Sequence, residues 1–292
     1  MRSWFVIPAM GVASGGAAVA LGLSPVVALS GAALAAVIRV LAGDSPAALT
    51  GAVLAPLLAV ASFAEAGSAS ARVALALAAA GWTVTELARS PGAPAASTSP
   101  VIAVLPAAIA GIFDPRFVAL VAIAGARLVT VSWQRPRWGV GVLIVGALAI
   151  VLAVLAGTAW PALGVWWFGA AHPVTVTALA GRAGATLGPF TAVAALGGIA
   201  SLSRPRYAEL ALAAALAGAI LADLRAGAFG PTSIGLAALL SGLAVGRLVA
   251  MIRLPSGQAI VGVTLGALVV VPPAWTAVVQ RSSAAHTGQA SR

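Results

Sequence analysis

The chain has 292 residues, of which 61% are hydrophobic and 8% charged, with mean hydropathy +1.08; a soluble domain carries about 25% charged residues, so this sequence cannot cover a water-facing surface and belongs in a membrane. Its net charge of +10 comes from 16 basic residues, all arginine, against six acids; most sit singly at segment ends and no run of them alternates with aromatics, the pattern of side chains snorkelling to lipid headgroups rather than of nucleic-acid binding. The absence of cysteine excludes disulfides, thiolate nucleophiles and cysteine-ligated metals, and leaves the redox compartment unread.

Apolar stretches of about 17–25 residues, each long enough as a helix to cross a hydrocarbon layer of about 30 Å, recur from end to end. Met1 to Gly22 has the basic start and small residues of a signal peptide, but the apolar spans that follow favour a first transmembrane helix. Ser24-Pro25 opens a second span that ends near Arg39 and Leu41. A polar turn, Asp44-Ser45-Pro46, puts proline at the first position of a third span running to about Phe63. Glu65 to Arg72 is expected to be a loop of small polar residues, followed by an Ala-rich helix to about Arg89.

Ser90 to Pro100, with three prolines plus Gly and Ser, is expected to be a water-exposed break between helix groups. Val101 to Phe113 is short for a span and is expected to be tilted, broken or re-entrant. Asp114-Pro115-Arg116 is a turn leading into a helix that contains Arg127. Trp133-Gln134-Arg135-Pro136-Arg137-Trp138 sets arginines between headgroup-seeking indoles and marks the cytoplasmic face. The span Gly139 to Gly157 is the most lipid-like, and Trp160-Pro161 opens another that carries His172-Pro173. A helix from about Ala185 to Leu202, the basic loop Arg204-Pro205-Arg206, a hairpin to Arg253 and a last span from Ser256 to Gln280, bent at Pro272-Pro273, complete the series.

The expected fold is therefore all-α, a polytopic transmembrane bundle of about ten to twelve helices. Its groups are residues 1–89, a Pro/Ser-rich loop 90–100, a central group 101–183, a C-terminal group 184–280 and a disordered tail 281–292. Gly11/Gly15, Gly184/Gly188, Gly242/Gly246 and Gly262/Gly266 have the Gly-x-x-x-Gly spacing that lets helix backbones approach closely. Ala48 to Phe63 aligns with Ala215 to Gly230 around a Gly-Ala-x-Leu-Ala-x-Leu core, raising a duplication into two degenerate repeats in which Pro56 stands where the second copy has Asp223.

Ionisable groups inside a bilayer cost a few kcal/mol each, so the few present mark the candidate sites. Asp223 is the acid most deeply embedded in apolar sequence, one turn before a bend at Gly227, Gly230 and Pro231. It can accept hydrogen bonds from the start of the next helix or from Ser233, as a cap, or serve as a partner-binding or ion-coupled acid. Glu209 and Arg247 are equally far from the bend and either pair across the hairpin, as a candidate structural pair, or face headgroups separately. His172 within its span is either a proton relay or solute contact, or bonded to the carbonyl freed by Pro173; Arg127 is either a helix-pairing arginine or a solute clamp. No catalytic constellation, metal-ligand spacing or cofactor motif is present, so neither an enzyme nor a cofactor is expected.

The stretch from Pro189 to Arg247 resembles the MreD family of rod shape-determining membrane proteins. The resemblance is carried by Pro189, by Arg204-Pro205-Arg206, by Gly218-Ala219-Ile220-Leu221-Ala222-Asp223-Leu224 and by Gly227 and Gly230 before a Leu-rich helix. The Gly218 to Asp223 spacing is one residue longer than the family pattern and the Gly227 to Gly230 spacing one shorter. The resemblance implies a non-catalytic scaffold of cell-wall elongation in the bacterial plasma membrane, bound to other membrane proteins, with a fold similar to the substrate-binding subunits of vitamin transporters. A small-solute transporter in two halves, similar in size to drug/metabolite exporters, and a structural subunit of a larger membrane assembly are the alternatives.

Overall fold

The computed structural model describes residues 5–43, 46–88, 101–132, 138–140, 142–144, 146–148, 172–202, 207–254, 256–269 and 271. Among them regular structure is helical throughout, with no strand, as the composition requires. The helices are α1 (Val6–Ala20), α2 (Val27–Ala42), α3 (Pro46–Ala66), α4 (Ser70–Ala88), α5 (Val101–Phe113), α6 (Val118–Ser132), α7 (Val176–Leu187), α8 (Pro189–Ala200), α9 (Tyr207–Ala226), α10 (Pro231–Ala250) and α11 (Ser256–Val269). The expected features at 90–100, 133–137, 203–206, 272–273 and 281–292, and most of the span from Gly139 to Gly157, lie outside the described residues.

Local sequence explains the boundaries. α3, α8 and α10 each open on proline, where the missing N–H would have no helical partner. The expected loop from Glu65 to Arg72 is instead a single 3-10 turn, Gly67–Ala69, because Gly67 adopts a positive φ of 52° and reverses the chain at once. α5 is one continuous helix in spite of Pro106, so its 13 residues form a short helix rather than a broken one. The helix expected from Ala185 begins nine residues earlier, at Val176, and breaks at Gly188, whose φ of 77° turns α7 away from α8 by 116°.

Three described helices are long and apolar enough to cross a membrane: α4 taken with its 3-10 turn, α9 and α10; the bent α7–α8 pair is a further broken or re-entrant span. The protein is a helical membrane protein. Within it α10 is the centre. Every residue from Thr232 to Gly246 is buried, and the helix is surrounded by α2, α3, α4, α8 and α9. Lipid gives apolar helices no hydrophobic reason to associate, so close packing of small residues must hold them. A Cβ built on Gly51 of α3 would lie 2.2 Å from the carbonyl oxygen of Gly242, and one on Gly242 would lie 2.8 Å from that of Gly51. Ala55 completes this seam, and Gly198 of α8 approaches the Leu240 carbonyl equally closely on another side. A large hydrophobic core, from Met10 of α1 to Val269 of α11, therefore joins the N-terminal and C-terminal helix groups, beside a smaller cluster of Leu187, Ala195, Ile234, Ala237 and Leu240.

The Gly-x-x-x-Gly spacings divide by role. Gly11 and Gly15 seat α1 on Ala28 and Ala32 of α2, and Gly262 and Gly266 seat α11 on Thr50 and Leu54 of α3. Among the described residues a Cβ on Gly184 would meet no atom of a neighbouring element within 4 Å, and Gly188 makes the bend, so that pair does not seat one described helix on another. The two aligned segments also differ locally: Ala48 to Phe63 is uninterrupted helix through Pro56, whereas the other ends its helix at Ala226 and turns.

Gly51→Ala is expected to lower stability by about 1–3 kcal/mol, since a methyl there must push two backbones apart. Gly184→Ala, in open helix, is expected to raise it by about 0.5–1 kcal/mol. Denaturation of the purified protein in mixed micelles measures both; equal effects would overturn the assignment of the α3–α10 seam.

Candidate functional site

The polar residues gather where α9 gives way to α10. α9 must end at Ala226 because Gly227 takes φ +70°, with its N–H still donating to the Asp223 carbonyl at 2.8 Å. The carbonyls left over at that helix end are met by an extended segment: the His172 N–H donates to Arg225 O at 2.9 Å and the Val174 N–H to Leu224 O at 3.0 Å. This contact is so close that a Cβ on Gly227 would sit 2.2 Å from the His172 carbonyl oxygen.

Asp223 is fully buried one turn inside this end. Its Oδ2 accepts the Gly230 N–H at 3.1 Å, joining α9 to the N-cap of α10, and its Oδ1 lies 3.6 Å from Arg116 Nη2. Arg116 belongs to the Asp114-Pro115-Arg116 turn between α5 and α6. There Asp114 accepts the Arg116 N–H at 3.0 Å on Oδ1, lies 3.7 Å from Arg116 Nη1 through Oδ2, and accepts the Thr232 hydroxyl of α10. The buried Ser233 faces the same carboxylate, although its hydroxyl makes no hydrogen bond of good geometry. Two carboxylates thus share one guanidinium and the positive end of α10, which carries about half a unit charge.

Glycines make room for this arrangement. A Cβ on Gly218 would meet the Arg116 carbonyl oxygen at 2.5 Å, and one on Gly230 would meet Asp223 Oδ1 at 2.9 Å and Arg116 Nη1 at 3.3 Å. Of the Gly218, Asp223, Gly227, Gly230 pattern, three residues therefore meet Arg116, whereas Gly227 packs against the His172 backbone.

The hairpin bend falls where the sequence placed it, but α9 and α10 touch little along their length. They are held at both ends. At the far end Glu209 Oε1 is 3.5 Å from Arg247 Nη2, and Arg247 also donates to the Ser201 carbonyl at the end of α8. The expected level of Glu209 with Arg247 is what brings them together.

His172 does not lie inside a helix. It is an exposed residue in the extended segment before α7, and its backbone N–H is what bonds the end of α9. Arg127 is half-buried on α6 and donates to the Glu86 carbonyl of α4, whose side chain in turn accepts the Trp82 indole N–H at 3.2 Å. Eleven residues beyond Arg116, it sits about 16 Å further along α6, at the opposite end of the bundle. The structure thus sets Arg127 apart from Asp223, brings His172 to the Asp223 end by its backbone alone, and adds Asp114, Arg116 and Thr232 to Asp223. The signal for the added residues was their charge: an Asp and an Arg two residues apart in a short turn between apolar helices. Among the described residues no group of three His, Asp or Glu side chains can hold a metal.

Asp223→Ala is expected to cost about 2–4 kcal/mol, because it leaves Arg116 and the Gly230 N–H short of a partner in a buried place. Replacing both charges, as Asp223→Leu with Arg116→Met, is expected to recover part of that loss. Glu209→Gln, at a pair with a partly exposed partner, is expected to cost no more than about 1 kcal/mol. Unfolding curves in mixed micelles compare the variants, and equal losses at Asp223 and Glu209 would overturn the ranking.

No family model, curated protein or solved structure matches the chain.

Proposed function

We propose that the chain is a non-catalytic membrane scaffold of the MreD kind, placed in a bacterial plasma membrane and serving cell-wall elongation and cell shape by binding other membrane proteins. The observation that carries this reading is the use of the polar residues. Asp223, Arg116, Asp114, Thr232, Glu209, Arg247 and Arg127 all join one helix to another, and α10 fills the middle of the described bundle. Side chains held in this way favour a fixed shape that partners recognise over a site that opens and closes around a solute. Gly218, Asp223 and Gly230 of the pattern that carries the family resemblance also meet Arg116.

A transporter is the second reading, and one observation favours it. The 116° break at Gly188-Pro189 gives α7–α8 the form of the discontinuous helices from which transporters build midplane sites.

Depleting the protein in a rod-shaped host is expected to round the cells and lower recovery of the elongation proteins that co-purify with it. Unchanged shape and unchanged recovery would overturn the scaffold. Orientation follows from arginine bias. Among the described residues Arg127, Arg247 and Arg253 lie at the Arg247 end. The Asp223 end carries Arg72 and Arg225, with Arg116 balanced by two acids. Cytoplasmic ends are enriched in arginine, so the Arg247 end faces the cytoplasm. The chain has no cysteine of its own, so single substitutions report cleanly. Ala228→Cys is expected to react with an impermeant maleimide on intact spheroplasts, and Leu254→Cys only after lysis; the opposite pattern would reverse the orientation.

A further inference from the structure

The outer surface carries a groove of about 510 Å³ between α3 and α11, away from the Asp223 cluster. Its base is the seam where Gly262 and Gly266 let α11 settle onto Thr50 and Leu54. Its walls are apolar, from Leu49 to Leu57 on α3 and from Ala259 to Ala267 on α11, with Val263 the most exposed at 73%. Eight residues of rise give each wall a length of about 12 Å, most of the roughly 15 Å depth of one leaflet. The groove therefore has the length and chemistry of a single acyl chain.

What lies at its mouth selects the headgroup. α11 begins at Ser256, beside Ala259, and the preceding turn is folded onto it: the Gln258 N–H donates to Leu254 O at 2.9 Å and the Gln258 side chain to Ile252 O at 2.7 Å. This holds the exposed Arg253 in the turn at the start of α11, three residues before Ser256 and six before Ala259, at an end of the helix that itself favours negative charge. We propose that the α3–α11 groove is a binding site for one anionic phospholipid, its acyl chain along Val53 and Val263 and its phosphate at Arg253.

Native mass spectrometry of the full chain, delipidated in mild detergent and titrated with phosphatidylglycerol or phosphatidylcholine of identical acyl chains, tests this. One phosphatidylglycerol per chain is expected to bind, preferred over phosphatidylcholine about fivefold, the effect of one arginine near the headgroups. Val263→Trp, which fills the groove from an exposed position, is expected to abolish the bound lipid; Val53→Trp on the facing wall serves as the second variant. Arg253→Gln is expected to erase the preference and keep phosphatidylcholine binding. Equal binding of the two lipids to the unaltered protein, or unchanged lipid binding in both tryptophan variants, would overturn the site. Loss of a dimer in those variants with lipid binding unchanged would do so too, by giving the groove to a second copy.

Discussion

The bundle depends on the burial of α10 on every side. A helix that is apolar all round has no face to turn toward water, and in lipid it gains nothing by association beyond contact itself. Contact is gained where backbones come close, and the seam between Gly51 and Gly242 leaves no room for a Cβ on either side. The choice of residue follows from this. With 33 glycines and an Ala-rich background, the chain can bring α2, α3, α4, α8 and α9 onto one helix without large side chains standing between them. The larger apolar residues fill the remaining interior, as Leu77 does against Gly235 and Phe63 and Phe117 do in full burial.

Around that centre the polar groups lie in two belts. Asp223, Asp114, Arg116 and Thr232 tie α5, α6, α9 and α10 at one end, where Arg72 also donates to the Phe113 carbonyl at 2.7 Å. Glu209, Arg247, Arg127 and Tyr207 tie α4, α6, α8, α9 and α10 at the other. Between them the polar contacts are hydroxyls. Ser241 of α10 donates to the Thr191 carbonyl of α8, and Thr191 donates to the Val269 carbonyl of α11. Among the described buried contacts, placing charges toward the ends and hydroxyls nearer the middle keeps the cost of each polar group low where the surroundings are driest.

The sequence made some of this legible. Composition dictated helices and a bilayer, proline at Pro46 and Pro231 marked where helices start, and equal distance from the bend made Glu209 and Arg247 a candidate pair. These are local or symmetric signals. The partner of Asp223 was not legible, because Arg116 is over a hundred residues away and nothing in spacing links a short turn to a distant helix end. His172 was misplaced for a related reason. An apolar run can be helix or extended backbone, and only the free carbonyls of α9 decide for the latter. The Gly184/Gly188 spacing misled because a pattern that permits close packing does not supply a partner, whereas φ at Gly188 creates a bend.

The polar cluster at Asp223 has a physical purpose that small residues cannot serve. Smooth Gly and Ala surfaces pack almost equally well after a shift of one turn, about 5.4 Å, so they leave the register of neighbouring helices open. A carboxylate that must meet both the Gly230 N–H and the Arg116 guanidinium admits one register of α9 against α10 and one position of the α5–α6 turn. The buried charges add little net stability relative to apolar residues of the same size, but a misregistered helix would strand them unpaired, at several kcal/mol each. Gly218 and Gly230 are small at the two points where Arg116 enters, so the same cluster also fixes where the backbone must lack a side chain. In this chain the acid is best understood as the element that selects one packing among the many that its alanines and glycines would allow.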